Sequence, residues 1–572
     1  MNKALRRSAA ALALVVGVVA IIGCQPSKEE MERKLTNFIA DYEAKVKPLE
    51  KEANVAYFEA TISGKEEDYK RAGELQVKLS KIYADKEAFA TLKEIKASGA
   101  VEDELLERQL TVLYNAYAGS QIDEEKLEKI IEAQTDLENR FATFRATIGG
   151  EEYTDNEIEE ILKTSTDNAR LETAWKASKA IGPTIVDQAL ELVKLRNEAA
   201  RELGYDNHHA MSLTLDEQDP EEILALMNEL DELTRDEFAR AKKEIDARLA
   251  ERYGVPEDEL APWHYQNRFF QEAPKIHDVD LDKYYKNEDI AALTNSYFDG
   301  VGLDIDDLLA KSDLYEKEGK YQHAYCTDID RSGDVRVVCN IKPNYNWTNT
   351  TLHEFGHAVY DKYIDMDLPY SLRSPAHTFA TEAVAMFFGR MAANAEWMAA
   401  TGVLPESEKA AIAEASFETL RLEQLVFSRW AQVVYRFEKA MYENPDQDLN
   451  NLWWDLVEKY QMIERPEGRD DPDWVTKIHI ALYPAYYHNY LLGELLASQF
   501  YFTVAERKLG VEEATAEDVL GLSYADDPTV GEFFRENVFA PGARYHWNDM
   551  IERATGEKLT AKYYAKQFVK GS

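Results

Sequence analysis

Cysteine is almost absent, with three in 572 residues. That is too few for a disulfide-stapled scaffold, and a cysteine-built zinc cluster lacks the second pair it needs. Basic residues are in deficit too: 66 stand against 106 acidic ones, a formal net charge of −40. Nucleic acid and anionic lipid surfaces are therefore excluded as partners on electrostatic grounds. The apolar run near the N-terminus, about 14 residues, is too short for a membrane span. No repeat with a period of roughly 20 to 50 residues and no low-complexity linker appears, which sets aside solenoids and strings of small domains. Strand-like sequence is confined to about residues 321–341.

What is there begins with Lys3, Arg6 and Arg7 ahead of that apolar run, the layout of an export signal. The run ends in Ile21-Ile22-Gly23-Cys24, which resembles a bacterial lipobox. The resemblance implies a lipoprotein signal peptide over 1–23, a diacylated Cys24, and a short tether over 24–30. Gln25 implies sorting to the outer membrane, facing the periplasm. An uncleaved anchor is the alternative. Cys326 and Cys339 close the stretch CTDIDRSGDVRVVC. A hairpin turning on Ser332-Gly333 would set them opposite one another, so the sequence predicts a cross-strand disulfide.

From Glu29 to about Lys194 the chain reads as successive amphipathic helices, with Leu35, Phe38, Ile39 and Tyr42 at helical spacing. Asp219-Pro220 opens another long helix and Gly254-Val255-Pro256 stops it. Helices dominate again after Pro343. The whole of 31–572 reads as one helical unit, with lid-like helices over 31–190 and a catalytic portion over 191–572.

Chemistry enters at TTLHEFGHAVYDKYI, residues 350–364. On a helix His353 and His357 share one face a turn apart and aim imidazole nitrogens at one cation, while Glu354 reaches water on that cation. Asn349 to Thr351 are the expected cap. A catalytic zinc takes three protein ligands. Asp361 continues down the same helix and suits the third place poorly. Glu382 suits it better, as the one acid among Phe379, Ala383, Val384, Met386 and Phe387 on a second helix. A carboxylate on such a face is costly unless metal-bound or paired, here with Arg390 or Arg373. About 95 residues later, KIHIALYPAYYHNY packs His479, Tyr483, Tyr486, Tyr487, His488 and Tyr490 together, hydrogen-bonding groups on an apolar wall suited to a peptide cleft.

HEFGH followed by DLPYSLRSPAHTFATEA resembles the angiotensin-converting enzyme family of zinc peptidyl-dipeptidases. So do LRNEAARELGY at Leu195, PWHYQNRFFQEAP at Pro262, HAYC at His323 and GARYHWNDMIERATGEKL near the C-terminus. The resemblance covers most of 190–572 and the N-terminal helices only in kind. It implies a mostly α gluzincin fold, with two subdomains flanking a deep cleft and one small β-hairpin. It implies one zinc ion on His353, His357 and Glu382, Glu354 as base and then acid, and His479 and Tyr490 as oxyanion donors. Lys477 and Tyr487, with Tyr483 nearby, would grip the substrate's C-terminal carboxylate, and His323 and Ala324 would pair with the peptide backbone. The chain departs from the family at several points. Glu382 follows His357 by 25 residues, a spacing that resembles the thimet-oligopeptidase family. Met386 replaces an aspartate that supports a ligand histidine, Asn489 replaces a chloride-binding arginine, and the carboxylate-binding glutamine falls to Tyr265 or Gln266. The reading is an exported, lipid-anchored zinc peptidyl-dipeptidase acting on short peptides. A thimet-type endo-oligopeptidase is the alternative within the fold. A peptide-capturing surface lipoprotein is the non-enzyme one, and it leaves Glu354 without a purpose.

Overall fold

The computed structural model describes residues 27–277 and 279–570. Cys24 and the expected signal lie outside the described residues. The first helix, Lys28–Ser63, starts inside the expected tether. Ser27 caps it by accepting the Glu30 N–H, and Glu29 and Glu30 favour its positive end. Helices form nearly everything that follows, and among the described residues none is long and apolar enough to cross a membrane.

Two large apolar cores organise the chain. One gathers Leu352, Phe355, Phe379, Val384, Phe387, Leu492 and the C-terminal helices. The other gathers Trp175, Trp430, Trp453, Trp474, Ile480 and Tyr487. Two long helices, Pro220–Tyr253 and Lys409–Glu443, serve both. The first buries Ile223, Met227 and Leu230 in one core and Phe238, Ile245 and Leu249 in the other. At 1.5 Å per residue each is about 50 Å long, enough to underlie both halves. Arg421 reaches Glu237 at 2.6 Å, Arg429 reaches Asp231 at 2.5 Å, and Gln432 donates to the Met227 carbonyl at 2.6 Å. These buried bonds fix the register of the pair, because each group is costly to leave unpaired.

The hairpin expected near 321–341 is present as Tyr325–Asp328 paired with Val335–Val338, but its register corrects the disulfide expectation. Tyr325 lies opposite Val338 and Cys326 opposite Val337. The turn therefore centres one residue earlier than Ser332-Gly333, with Arg331 taking a left-handed φ of 50°. Cys339 falls diagonal to Cys326 on one face, and both are free thiols. A second small sheet, Ala146–Ile148 with Glu151–Tyr153, was not foreseen. Gly149 and Gly150, at φ 62° and 90°, make its two-residue turn.

The hairpin is stitched to the first helix. The Tyr321 N–H donates to the Thr61 carbonyl at 2.8 Å, and the Thr61 and Tyr325 hydroxyls meet at 2.6 Å. Asn54 donates to the carbonyls of Asp328 and Ile329, both at 3.2 Å. Lys51 pairs with Asp330 and Arg331 with Glu50, each at 2.8 Å.

Candidate active site

The motif helix runs Tyr345–Lys362, beginning four residues before the expected cap. Asn344 caps it by accepting the Trp347 N–H at 2.8 Å. Its apolar side, Leu352, Phe355, Ala358 and Val359, is fully buried, which turns His353 and His357 towards the cleft. The glutamate helix, Thr378–Gly389, crosses it closely. A Cβ on Gly356 would stand 2.8 Å from the Ala385 Cα, so only glycine permits this approach. A third helix, His488–Leu509, closes on the same spot, where a Cβ on Gly493 would stand 3.2 Å from the Glu382 Cβ. The two small residues let three helices converge on Glu382.

At that convergence Nε2 of His353 lies 3.6 Å from Oε2 of Glu382, and Nε2 of His357 lies 4.0 Å from Oε1. Ligand atoms of the three come within 4.8 Å of one another. Donors about 2.0–2.2 Å from a tetrahedral zinc stand roughly 3.3 Å apart, so a small contraction closes the set around an ion. Neither arginine competes for Glu382. Arg390 pairs with Glu494, and Arg373 donates to the Leu368 carbonyl at 2.8 Å. Nδ1 of His357 meets the Thr381 hydroxyl at 2.7 Å. Thr381 therefore takes over the support expected of an aspartate where Met386 stands, and it leaves Nε2 for the metal.

The electrostatics fit a cation. Burial raises Glu382 to about 7. Burial and the Glu382 charge raise Glu354 to about 8, against one backbone N–H from Cys326. Burial lowers His353 to about 4 and lowers His357 as well, so both imidazoles are neutral ligands. Two carboxyls and two neutral imidazoles without a basic side chain among them form a donor set lacking its positive charge, which a divalent ion supplies.

Of the expected oxyanion donors, Tyr490 stands on the His488–Leu509 helix near Glu382 while packing against the second core, to which Tyr487 links His479. His479, held neutral by burial and by Lys477 with a pKa lowered to about 4, packs edge-on to Tyr487 at 5.0 Å. Burial and the Glu382 charge keep Tyr490 and Tyr486 protonated, and their rings meet edge-on at 5.4 Å. Tyr486 is a neighbour of the ligand that the resemblance did not assign.

Lys477 is buried, 9% exposed, and no carboxylate pairs with it among the described residues. Its ammonium donates to Oε1 of Gln271 at 2.6 Å and lies 5.3 Å over the Tyr487 ring, 5.6 Å over Trp430 and 5.7 Å over Phe269. Burial lowers its pKa to about 8. Gln271 is thus the amide that touches Lys477. Tyr265 is engaged by Lys242 and Asp246, and Gln266 accepts the Lys275 N–H. Tyr483 stands apart, 46% exposed and bonded to Glu138. His323 is exposed with its ring 5.3 Å from Tyr321, while Ala324 lines the cavity beside Glu354.

His353 borders two cavities. One, about 500 Å³, holds Ala324, Glu354 and Glu382 on the hairpin side. The other, about 830 Å³, is walled by residues just after Gln271 and by Met386 and Arg390. His353 thus lines both cavities while Glu354, His357 and Glu382 line the smaller one, and Gln271, which holds Lys477, lies two residues before the Ala273 wall of the larger.

Residues 29–247 match the family described as Angiotensin-converting enzyme, and residues 311–570 match Peptidase family M3. This division differs from the expected one: the converting-enzyme match falls on the N-terminal helices, and the half carrying the metal ligands matches the other family. Carboxypeptidase 1 of Bacillus subtilis (strain 168) is 26% identical over 264 residues, 42% of this chain and 50% of that protein. The match thus spans half the length of that relative.

Proposed function

We propose that the chain, whose residues 29–247 match the angiotensin-converting enzyme family and 311–570 Peptidase family M3, is a metallopeptidase that releases C-terminal dipeptides from short peptides with one zinc ion on His353, His357 and Glu382. The observation that carries this reading is Lys477, a buried ammonium with a glutamine and three rings around it and, among the described residues, no directly paired counter-charge, Glu272 and Glu159 acting on it only from a distance. A substrate carboxylate supplies that charge and fixes the peptide by its end.

A zinc ion held by His353, His357 and Glu382 would supply Lewis acidity to water and to the scissile carbonyl. Glu354 takes the proton from the attacking water and passes it to the leaving amine. His479 and Tyr490 donate to the oxygen that gains charge, and both are neutral donors in a site screened from bulk water. The edge at Ala324 holds the peptide extended.

A thimet-type endopeptidase is the second reading, favoured by the 25-residue interval from His357 to Glu382 and by the M3 match over 311–570. Mass spectrometry of products from one decapeptide, free and amidated at its C-terminus, with and without chelator, separates the two. Dipeptide release that the amide abolishes supports the first; internal cleavage of both peptides refutes it. We also place the protein outside the cytoplasm, tethered through Cys24. Labelled palmitate that still enters a Cys24→Ala variant would sink that assignment.

A further inference from the structure

The charged side chains lining the smaller cavity are unequally partnered. Glu50 is held by Arg331 at 2.8 Å and by the Tyr370 hydroxyl at 2.6 Å. Arg373 donates to the carbonyls of Leu368, at 2.8 Å, and Arg331, at 3.4 Å. Asp328 accepts the N–H groups of Asp330 and Arg331 at 3.1 and 2.8 Å, and Glu354 accepts that of Cys326. Asp361, one turn beyond His357 on the motif helix, lines the same cavity. Among the described residues it has no hydrogen-bond donor and no ion-pair partner. Burial first, and the Asp328 carboxylate second, hold its carboxyl well above the ordinary range, with partial relief from Arg331. A carboxyl so placed lacks a counter-charge. A second metal ion does not answer for it: among the described residues only His353, His357 and Glu382 bring three donors within coordinating reach.

Which end of a peptide passes this wall follows from the reading above, on which this inference rests. The C-terminal end runs towards Lys477, whose partner Gln271 lies two residues before the Ala273 wall of the larger cavity, so residues ahead of the cleaved bond lie along the hairpin side, beside Ala324. We propose that Asp361, with Asp328 beside it, is a specificity-determining residue that receives a cationic group on the amino-terminal side of the cleaved bond. That group is a lysine or arginine side chain, or the free amino terminus of a short peptide. Tyr325 and Pro375 line the same cavity and offer apolar surface to an aliphatic stem. The overall acidity of the chain favours approach of such peptides.

The test uses zinc-loaded protein and hexapeptides with lysine or norleucine at one of the two positions before the cut, each with a free and an acetylated amino terminus. For the wild type, kcat/KM of the cation-bearing member should exceed that of its neutral partner on the order of tenfold. In Asp361→Asn the ratio should fall to near one, and Asp328→Asn should lower it less. A preference lost on acetylation assigns the cation to the amino terminus; one that tracks lysine assigns it to the side chain. One common rate for all four wild-type peptides, so that neither lysine in place of norleucine nor a free in place of an acetylated amino terminus matters, overturns the proposal. So does an Asp361→Asn variant whose rates fall equally on all peptides with the ratio intact. Calorimetric binding of the same peptides to the zinc form of Glu354→Gln reads the same ratio without turnover. Cleavage elsewhere than at the C-terminal dipeptide, with the binding ratio present, fails the functional reading and leaves the subsite supported. Dipeptide release with no ratio fails the subsite alone.

Discussion

Lys477→Met removes one charge and little volume. In the wild type the ammonium is buried and donates to Gln271 at 2.6 Å, so a substrate carboxylate would meet it out of bulk water. A charge-assisted bond there is worth about 1.5–3 kcal/mol, or roughly tenfold to 150-fold in kcat/KM. A fluorogenic decapeptide with a free C-terminus should lose that factor, while its amide should change by less than about threefold. Stability should move little, because Gln271 loses a donor while a desolvated charge is also removed. The pH dependence carries the same signature. Burial lowers Lys477 to about 8, so its charge is present below that pH and lost as pH rises through it. Wild-type kcat/KM for the free acid should then decline above about pH 8, the amide should lack that decline, and Lys477→Met should abolish it. Equal losses on acid and amide would show that Lys477 holds the fold and does not grip the substrate tail.

Glu354→Gln should retain zinc by elemental analysis and lose at least about a hundredfold in kcat; near wild-type turnover would remove Glu354 from the proton path. Thr381→Val deletes the 2.7 Å partner of His357 and should weaken zinc affinity about 10- to 100-fold in competition with a chelator, short of the complete loss expected for Glu382→Ala. Unchanged affinity in Thr381→Val would mean that the imidazole is oriented by packing alone.

The grouping of His353, His357 and Glu382 was legible because it is written in residue types: histidines at helical spacing and one acid on an apolar face. What failed was whatever depends on close approach. Thr381 looks like any helical threonine until the crossing at Gly356 brings it against His357. Gln271 lies 206 positions from Lys477, and an amide carries no pattern to single it out from Gln266. The disulfide expectation missed by one residue of register: the turn takes positive φ at Arg331 as well as at Gly333, and it centres between Arg331 and Ser332. Gly149-Gly150 was a visible turn signal, but strands of three residues are too short for alternation to show.

The contacts between residues 50–61 and 321–331 join segments more than 250 positions apart in the chain. Two backbone stretches tied in this way open together or not at all, as a single cooperative unit. Amide hydrogen exchange should therefore give the C-terminal half of the first helix and the Tyr325–Asp328 strand one common opening free energy. Separate values would show that the strand edge at Ala324 can loosen by itself. With a common value, admitting a peptide means moving both segments in one step, and a point change at Asn54 or Thr61 reaches the catalytic rate without touching substrate.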